Sequence, residues 1–529
     1  MDMRRQLRLA GLTRPALLVT VLGLVMTTGL AAQRGGAGQG GAPPATAPQG
    51  AQTNSAPQGG RGAYQPTLWW GDEMFAKWPY PAGDAVYADL DGMKIKGYIN
   101  EITAISRKSR DDGNQYWGRI TGSPYDKMTT DWVTAQFKRI GLETRVQEFT
   151  DLPEQWWPTS WEVTAVGAQA VQLKTAFPLY RSVGTSGQMN LEPVWVGMGT
   201  GADFDGRDVR GRVVVAYGFP NPGGRENTAL TWGIVKRAED KGAAALFIVL
   251  GFPGNVMNEP TAAGTQPPGR MPIFMLGNQD GTLIRQMIEQ NQSPVIRFRL
   301  AVELRTGLKT ETVWGVLPGA TDENIAVMAH TDSFFEGAMD NASGIATMVA
   351  LAEHYAKIPK NQRRRTMTFF TTSAHHSPSG DNAGARWVHN NMKQMFAKTA
   401  LLVNCEHTAQ VATFLVGEAL YASNQVSARR WFIGGSNQLK TIVMKDFKDY
   451  GMALYSRPEP RPGGELGVFF QDAPSFHIID HTVYHTDMDN LNAVPAAGLE
   501  QSAHVFAKII DDVNKVDMSA LLGAPVTTR

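Results

Sequence analysis

The sequence is short of residues that several classes of protein need. Its one cysteine, Cys405, excludes an internal disulfide framework and any metal or redox site built from several thiolates. Neither sign of charge is in excess, because 50 Lys and Arg residues stand against 49 Asp and Glu residues. This balance argues against the strongly cationic surface of a nucleic-acid-binding protein, so we expect no nucleic-acid partner. Histidine is missing from the chain before His330, and all ten histidines lie between His330 and His504. The skew predicts that the C-terminal part of the chain carries the chemistry.

Long apolar runs are also missing, apart from a short one at the N-terminus. Four arginines, the last of them Arg14, precede the run Ala16–Val25, and a small pair, Ala31-Ala32, follows it. The run is shorter than the roughly 20 apolar residues of a spanning helix, which favours a cleaved signal peptide over residues 1–32. A retained membrane anchor is the alternative. We therefore expect a bacterial periplasmic or secreted protein, with no membrane contact once the signal is removed.

Residues 33–63 contain mainly Gly, Ala, Gln and Pro, and they include no aromatic and no aliphatic residue larger than alanine. Such a segment buries too little apolar surface to offset chain entropy, so we expect a disordered linker. Of the whole sequence 43% is hydrophobic, which is ample for a large core in the part that follows. We divide that part into a main domain at 64–179 and 306–516, an insert at 180–305, and a tail at 517–529.

Strand and helix patterns alternate in both parts. In the insert, buried strands at 213–217, 244–250 and 273–276 alternate with helices at 228–241 and near 282–289, and a strand follows at 295–302. In the main domain, a helix ending at Gly141 precedes a strand at 144–149. Further strands at 325–329, 367–372 and 401–405 alternate with helices, of which 495–513 is the last. This rhythm predicts an α/β fold with a mostly parallel central sheet, helices on both faces, and a small α/β insert that binds or packs rather than catalyses.

Polar side chains follow successive strands of the predicted sheet, at the edge where such sheets bind ligands. His330 and Asp332 follow the first strand, and residues two apart on a strand point to one side, so Asp332 is expected to hydrogen-bond the His330 imidazole. Asp340 lies at a loop-to-helix start, where an N-cap is the structural alternative. Oxygen and imidazole ligands without thiolate suit zinc or a similar divalent ion. The full set of candidates after these strands is His330, Asp340, His375, His376, Glu406 and His485.

Two expectations about histidines rest on strand alternation. Adjacent side chains on a strand point to opposite sides, so only one of His375 and His376 is expected to share a site with His330. By the same argument His407 should point away from Glu406. His477, Asp480 and His481 lie in an irregular segment whose side chains the sequence does not place.

The order of these motifs resembles the zinc-dependent aminopeptidase and glutamate carboxypeptidase family, which includes transferrin-receptor-like proteins and glutaminyl cyclases. The segments that carry the resemblance are 119–123, 330–332, 340–344 and 484–486. The insert resembles the protease-associated domain of many members, through residues 208–211 and 241–244. The resemblance covers nearly everything after residue 95. It implies the zinc-peptidase fold and a peptide or aminoacyl substrate, and it leaves open whether the chain forms a homodimer.

The resemblance also implies roles for individual residues. Asp340 would bridge two metal ions, His330 and Glu406 would complete one site, and His376 and His485 would complete the other. Asp332 would orient His330, and the family's general base would fall at His375. One or two zinc ions are therefore expected.

Two motifs depart from the family pattern. The family has two adjacent glutamates where this chain has His375-His376, and an aspartate where it has Glu406. The lost carboxylates reduce the negative charge that faces the metals, and an imidazole base beside two dications is disfavoured in its protonated form. Two hypotheses follow: a metallopeptidase-like hydrolase with a histidine-rich site, and a catalytically inactive binding protein with the same fold.

Overall fold

The computed structural model describes residues 69–220, 227–259, 269–376, 382–416, 419–480 and 482–523. The predicted signal peptide (1–32) and linker (33–63) lie outside the described residues, as do His481 and the end of the predicted tail after Gly523. All described residues belong to one compact unit, Gly62–Arg529, and the other unit, Met1–Arg61, lies outside them.

The strands, numbered in chain order, are β1 Gly118–Arg119, β2 Glu143–Phe149, β3 Gln155–Val166, β4 Ala170–Gln172, β5 Phe177–Pro178, β6 Met189–Leu191, β7 Pro193–Trp195, β8 Val213–Gly218, β9 Ala245–Leu250, β10 Ile273–Leu276, β11 Val295–Arg305, β12 Thr310–Leu317, β13 Thr321–His330, β14 Ser333–Phe334, β15 Arg365–Thr372, β16 Thr399–Asn404, β17 Val411–Val416, β18 Ala419–Val426, β19 Arg430–Gly434 and β20 Ser475–Ile479.

The α-helices are α1 Gly92–Asp111, α2 Pro124–Ile140, α3 Thr228–Thr231, α4 Ile234–Asp240, α5 Asn278–Glu289, α6 Gly344–Ala356, α7 Ala383–Asn391, α8 Lys393–Phe396, α9 Asn437–Asp449, α10 Leu466–Phe469, α11 Ala496–Asn514 and α12 Met518–Leu521. Short 3-10 segments occupy Asp72–Met74, Asp84–Tyr87, Ala202–Phe204 and Leu491–Ala493, and a π-helical turn occupies Ala338–Ser343.

The central sheet of the main domain has the strand order β19-β20-β16-β13-β15-β12-β2. Four of its five inner strands, β20, β16, β13 and β15, run parallel to one another, and the pairs toward both edges are antiparallel. The predicted fold class is confirmed, with a sheet that is mixed rather than mostly parallel. Since β13, β15, β16 and β20 are parallel, the residues that follow them all lie at one edge of the sheet.

Both faces of the central sheet are covered, which explains why most positions of its inner strands are buried. Along β13, Ile325, Val327 and Ala329 belong to a core shared with α1, α2, α6 and α11. The alternate residues Ala326 and Met328 belong to a second core on the opposite face, with residues of α7 and α10. Helices on both faces were predicted from the sequence, and the structure confirms them.

Strands of the predicted insert (180–305) form two further sheets together with β3, β4 and β5, which precede it. β5, β10, β9, β8 and β7 form a five-stranded sheet, and β4, β3, β11 and β6 form a four-stranded one. β3 pairs with β11 over its full length, so strands from residue 155 onward share sheets with the segment 180–305. The predicted helix 228–241 is two helices, because Gly233 has φ 75° and a left-handed residue interrupts the helical hydrogen bonds.

Two contacts join the insert to the main domain at the sheet edge that carries the polar residues. Tyr116 and Phe335 of the main domain pack against Phe177 of β5, which pairs with the insert strand β10; their ring centroids are 6.1 Å and 5.3 Å from that of Phe177. Asn258 of the insert forms an isolated β-bridge with Thr486. Across the described residues, no helix combines the length and the hydropathy that crossing a membrane requires.

Candidate metal centre

The carboxylate of Asp340 lies among four imidazole rings. Its Oδ1 is 3.0 Å from Nε2 of His330 and 3.1 Å from Nε2 of His407. Its Oδ2 is 3.2 Å from Nε2 of His376 and 3.1 Å from Nε2 of His485. All five side chains are buried. Burial opposes ionisation of Asp340, but the imidazoles outweigh it and hold its pKa well below the usual range.

Asp340 is fixed by the loop that precedes α6. The carboxylate of Asp489 accepts the backbone N–H of Met339 at 2.6 Å and that of Asp340 at 3.1 Å. Nδ2 of Asn341 donates to the carbonyl of Cys405 at 3.1 Å, which ties this loop to the segment after β16. The peptide bond between Asp340 and Asn341 is cis. Asp340 is not an N-cap, because α6 begins at Gly344 and Ser343 holds the cap position.

A buried arginine connects the two loops that carry His330 and Asp340. The guanidinium of Arg119 donates to the carbonyls of Thr331 at 3.1 Å, Glu336 at 2.8 Å and Gly337 at 3.2 Å. Burial lowers the pKa of Arg119 to about 10, against the raising effect of nearby carboxylates. Arg119 belongs to the segment 119–123 that the sequence analysis used for the family resemblance, and these contacts give that segment a physical role.

Asp332 supports the site differently from the prediction. The Nδ1 of His330 bonds to the backbone carbonyl of Asp332 at 3.1 Å, whereas the nearest carboxylate oxygen is 3.6 Å away. The carboxylate instead accepts the Thr121 hydroxyl at 2.9 Å and the backbone N–H of His376 at 2.5 Å. Asp332 therefore orients His330 through its main chain and the His376 loop through its side chain.

Both members of the histidine pair lie beside His330, so the expectation that only one would do so is wrong. The ring centroid of His330 is 4.6 Å from that of His375 and 4.8 Å from that of His376. Strand β15 ends at Thr372, and Ala374 has φ 58°. Because the backbone is no longer extended there, the alternation rule for strands does not apply.

His407 also joins the site, although it was expected only to point away from Glu406 and was not among the predicted candidates. β16 ends at Asn404 and His407 has φ 47°, so its ring turns toward Asp340. Its Nδ1 bonds to the backbone carbonyl of Asp480, which leaves Nε2 facing Asp340. The sequence signal that could have identified His407 is its position directly after Glu406 in a chain whose histidines cluster.

A second group of ligand atoms lies next to the first. It takes one nitrogen or oxygen from each of His330, His375, Glu406 and Glu465, and these atoms lie within 4.8 Å of one another. The Nδ1 of His375 is 2.9 Å from Oδ1 of Asn382, and Oε2 of Glu406 accepts Nδ2 of Asn404 at 2.8 Å. Burial, with the His330 charge, lowers the pKa of His375 to about 4. Glu465 was not among the predicted candidates, and no local pattern marks it.

The insert contributes directly to the site. Oε2 of Glu259 is 3.1 Å from Nδ1 of His485, and the backbone carbonyl of Glu259 is 3.2 Å from the same nitrogen. The backbone N–H of Glu259 donates to the carbonyl of His485 at 2.9 Å, and Nδ2 of Asn258 donates to that carbonyl at 3.2 Å. The insert was expected to bind or pack rather than to catalyse, but its edge orients a candidate ligand.

The donor set suits a divalent metal such as zinc. Imidazole nitrogens and carboxylate oxygens are the non-thiolate ligands of zinc, and Asp340, His376 and His485 also have ligand atoms within 4.8 Å of one another. Within the described part of the chain, neither carboxylate oxygen of the buried Glu465 has a hydrogen-bond partner. A buried carboxylate in that state is costly unless a cation neutralises it. The residues therefore fit the metal that the resemblance implies.

Buried imidazole and carboxylate groups at the carboxyl edge of an α/β sheet are the kind of site at which metal-dependent hydrolases bind their metal. Residues 312–510 match the model described as Peptidase family M28. The predicted resemblance to the zinc-dependent aminopeptidase and glutamate carboxypeptidase family is thereby confirmed over residues 312–510. That the insert is a protease-associated domain stays a prediction.

Solved structures with the same fold include an M28 peptidase precursor from Shewanella amazonensis, which is 17% identical and has a TM-score of 0.62. The match covers 83% of this chain and 99% of that chain. A zinc aminopeptidase from Bacillus subtilis has 16% identity, 82% and 98% coverage, and a TM-score of 0.58. A probable glutamate carboxypeptidase from Zea mays is 21% identical over 366 residues, 56% of this chain. The chain spans about half (49%) of the length of that curated relative.

Proposed function

We propose that this protein is an exported, zinc-dependent hydrolase that cleaves peptide or aminoacyl amide bonds. The observation that carries the proposal is the convergence of four imidazole Nε2 atoms, each 3.0–3.2 Å from the buried carboxylate of Asp340. A scaffold without a metal has no need to bury so many ring nitrogens around one carboxylate. The M28 match and the aminopeptidase and carboxypeptidase relatives support the same reaction class.

We assign the metal-ligand role to the five predicted residues, His330, Asp340, His376, Glu406 and His485. The contacts of Asp340 support four of them, and the second group of ligand atoms supports Glu406. A zinc ion bound there would polarise the substrate carbonyl and lower the pKa of a bound water. The chain's own residues provide the setting: Asp489 and Arg119 fix the loops, and the burial of the site excludes bulk water. Proton transfer falls to a group beside the metal, and the family position for it is His375.

The histidine pair favours a second candidate function. Because His375-His376 replaces two glutamates of the family pattern, the site has lost the carboxylate base that would accept a proton from water. A protein that keeps the metal and binds peptides without cleaving them fits this departure. Export is supported by the N-terminal sequence alone, through the arginines and the apolar run Ala16–Val25.

One experiment separates these functions. The protein is purified from an exporting host, dialysed against zinc, and analysed for bound metal by mass spectrometry; hydrolysis of aminoacyl p-nitroanilides and of N-acylated dipeptides is then measured. We expect bound zinc in the wild type and its loss in Asp340→Asn, with the exposed Asp322→Asn as matched control. Zinc with hydrolysis supports the hydrolase, and zinc with peptide binding alone supports the second function. A folded wild type that binds no zinc overturns both.

A further inference from the structure

We propose that Glu465 is a metal ligand, and that it forms, with His330, His375 and Glu406, a four-ligand site of a composition different from the one the family pattern implies. This inference rests on the proposed function, because it assumes that the site binds a divalent metal. It gives His375 the role of a ligand rather than that of a proton acceptor. It also adds a residue that the sequence did not single out.

The geometry of the four side chains carries the inference. Their ligand atoms lie within 4.8 Å of one another, and Nε2 of His375 is 3.8 Å from Oε2 of Glu465. Two ligands of one tetrahedral zinc ion are separated by about 3.4 Å, since each lies roughly 2.0–2.1 Å from the metal. The observed separation of 3.8 Å between His375 and Glu465 is too long for a hydrogen bond. It is close to the separation of about 3.4 Å expected for two ligands of one zinc ion.

A cation would also stabilise the ionised form of Glu465. Its side chain is fully buried, and within the described residues neither carboxylate oxygen accepts a hydrogen bond. The buried carboxylate of Glu406 lies in the same group of ligand atoms. Two buried carboxylates repel each other when both are ionised, and a divalent ion between them turns this repulsion into attraction.

The backbone before Glu465 leaves room for its carboxylate to lie close to that of Glu406. Gly464 has φ 61°, and a Cβ at this position would lie 2.5 Å from Oε1 of Glu406. A residue with a side chain would therefore clash with Glu406 and would also be strained in the left-handed region. The glycine allows the two carboxylates to reach the same volume.

His375 presents its second nitrogen to the same volume. Because Oδ1 of Asn382 accepts a hydrogen bond at 2.9 Å, the proton of the neutral ring is on Nδ1, and the lone pair is on Nε2. A hydrogen bond from the non-ligating nitrogen to a side-chain oxygen is the usual way in which a metal-binding histidine is oriented. The family position of the base is thus occupied here by a side chain with the geometry of a ligand.

The experiment compares Glu465→Gln with Glu459→Gln, a control on the same segment whose carboxylate pairs with Arg430 at 3.0 Å. Zinc affinity is measured by competition with a chromophoric chelator, and the cobalt-substituted proteins are compared by visible absorption. Loss of an outer partner of a ligand costs about 10–100-fold in affinity, so loss of a ligand should cost at least about 100-fold for the ion concerned. The cobalt spectrum should change in Glu465→Gln and not in the control.

Two results would overturn the inference without touching the proposed function. One is a Glu465→Gln protein with the zinc affinity and cobalt spectrum of the wild type. The other, which applies even if the variant does not fold, is anomalous diffraction from zinc-loaded wild-type crystals in which no zinc lies within about 2.5 Å of the Glu465 carboxylate. A wild type that binds no zinc would instead refute the proposed function itself.

Discussion

Replacement of Glu259 by alanine tests whether the insert acts on the metal centre. The carboxylate of Glu259 is 3.1 Å from Nδ1 of His485, and its negative charge favours a ring whose Nε2 is a strong donor toward a metal. Removing such a partner costs about 10–100-fold in metal affinity. Here the backbone carbonyl of Glu259, 3.2 Å from the same nitrogen, still accepts after the substitution. We therefore expect the lower end of the range, about 10-fold or about 1.4 kcal/mol.

The assay is a zinc titration of Glu259→Ala in competition with a chromophoric chelator. Glu289→Ala is the control, because Glu289 lies on the surface of the same insert and pairs only with Arg285 at 2.7 Å among its described charged neighbours. Glu259→Gln, which keeps an acceptor without the charge, should fall between wild type and Glu259→Ala. Unchanged zinc affinity in a folded Glu259→Ala protein would refute the claim that Glu259 strengthens zinc binding through His485. The contact between the insert and His485 would then serve packing alone.

Three further perturbations have expected outcomes. Arg119→Met should lower the free energy of unfolding in urea by about 3–5 kcal/mol, because it leaves buried carbonyls without donors; a loss below about 1 kcal/mol would contradict this role. His407→Ala should weaken zinc binding by about 10–100-fold, whereas the partly exposed surface variant His389→Ala should bind zinc like the wild type. Asp126 is buried, and burial raises its pKa from 3.8 to about 7, so the folded protein binds this proton more tightly than the unfolded chain does. Its contribution to stability is therefore present below about pH 4 and lost as the pH rises toward 7, and Asp126→Asn should show a flatter urea stability curve over that window.

The regular elements were predictable because their signals are local. Strand β13 is apolar at consecutive positions, and helix α11 repeats its apolar residues at helical spacing, so composition and periodicity were sufficient. The edge of the sheet where the ligands meet was predictable for the same reason, since parallel strands end together. The pattern of strands predicted that His330, Asp340 and Glu406 lie in the same region of the sheet edge.

The orientation of the side chains in that neighbourhood was not predictable, for a backbone reason. Ala374, His407 and His485 all have φ between 47° and 58°, a region that side-chain-bearing residues seldom occupy. A glycine at these positions would have predicted the turns, because glycine is the residue typical of positive φ, but none of the three is glycine. Each turn redirects the chain, so alternation gave the wrong answer for the pair His375-His376. Residues held in such backbone conformations cluster at functional sites because the surrounding structure fixes them there.

Glu465 and Glu259 were not predictable because their contacts join distant segments. Glu465 reaches the ligand group from the start of α10, far along the chain from Glu406, and Glu259 reaches His485 from the insert. Nothing in the local sequence of either residue distinguishes it from the many surface glutamates of the chain. Only tertiary structure brings these carboxylates to the site.

The positions of these carboxylates change how the histidine pair is interpreted. If both ligand groups bind a divalent ion, Asp340 and Glu406 alone leave two positive charges unbalanced in a buried volume, where such an excess is costly. Glu465 reduces the excess to one, and Glu259 provides a further negative charge beside His485. The glutamates that the family pattern places at 375 and 376 are therefore replaced in charge, although not in position, by carboxylates from α10 and from the insert. On this argument His375-His376 belongs to a rebuilt metal site rather than to a degraded one.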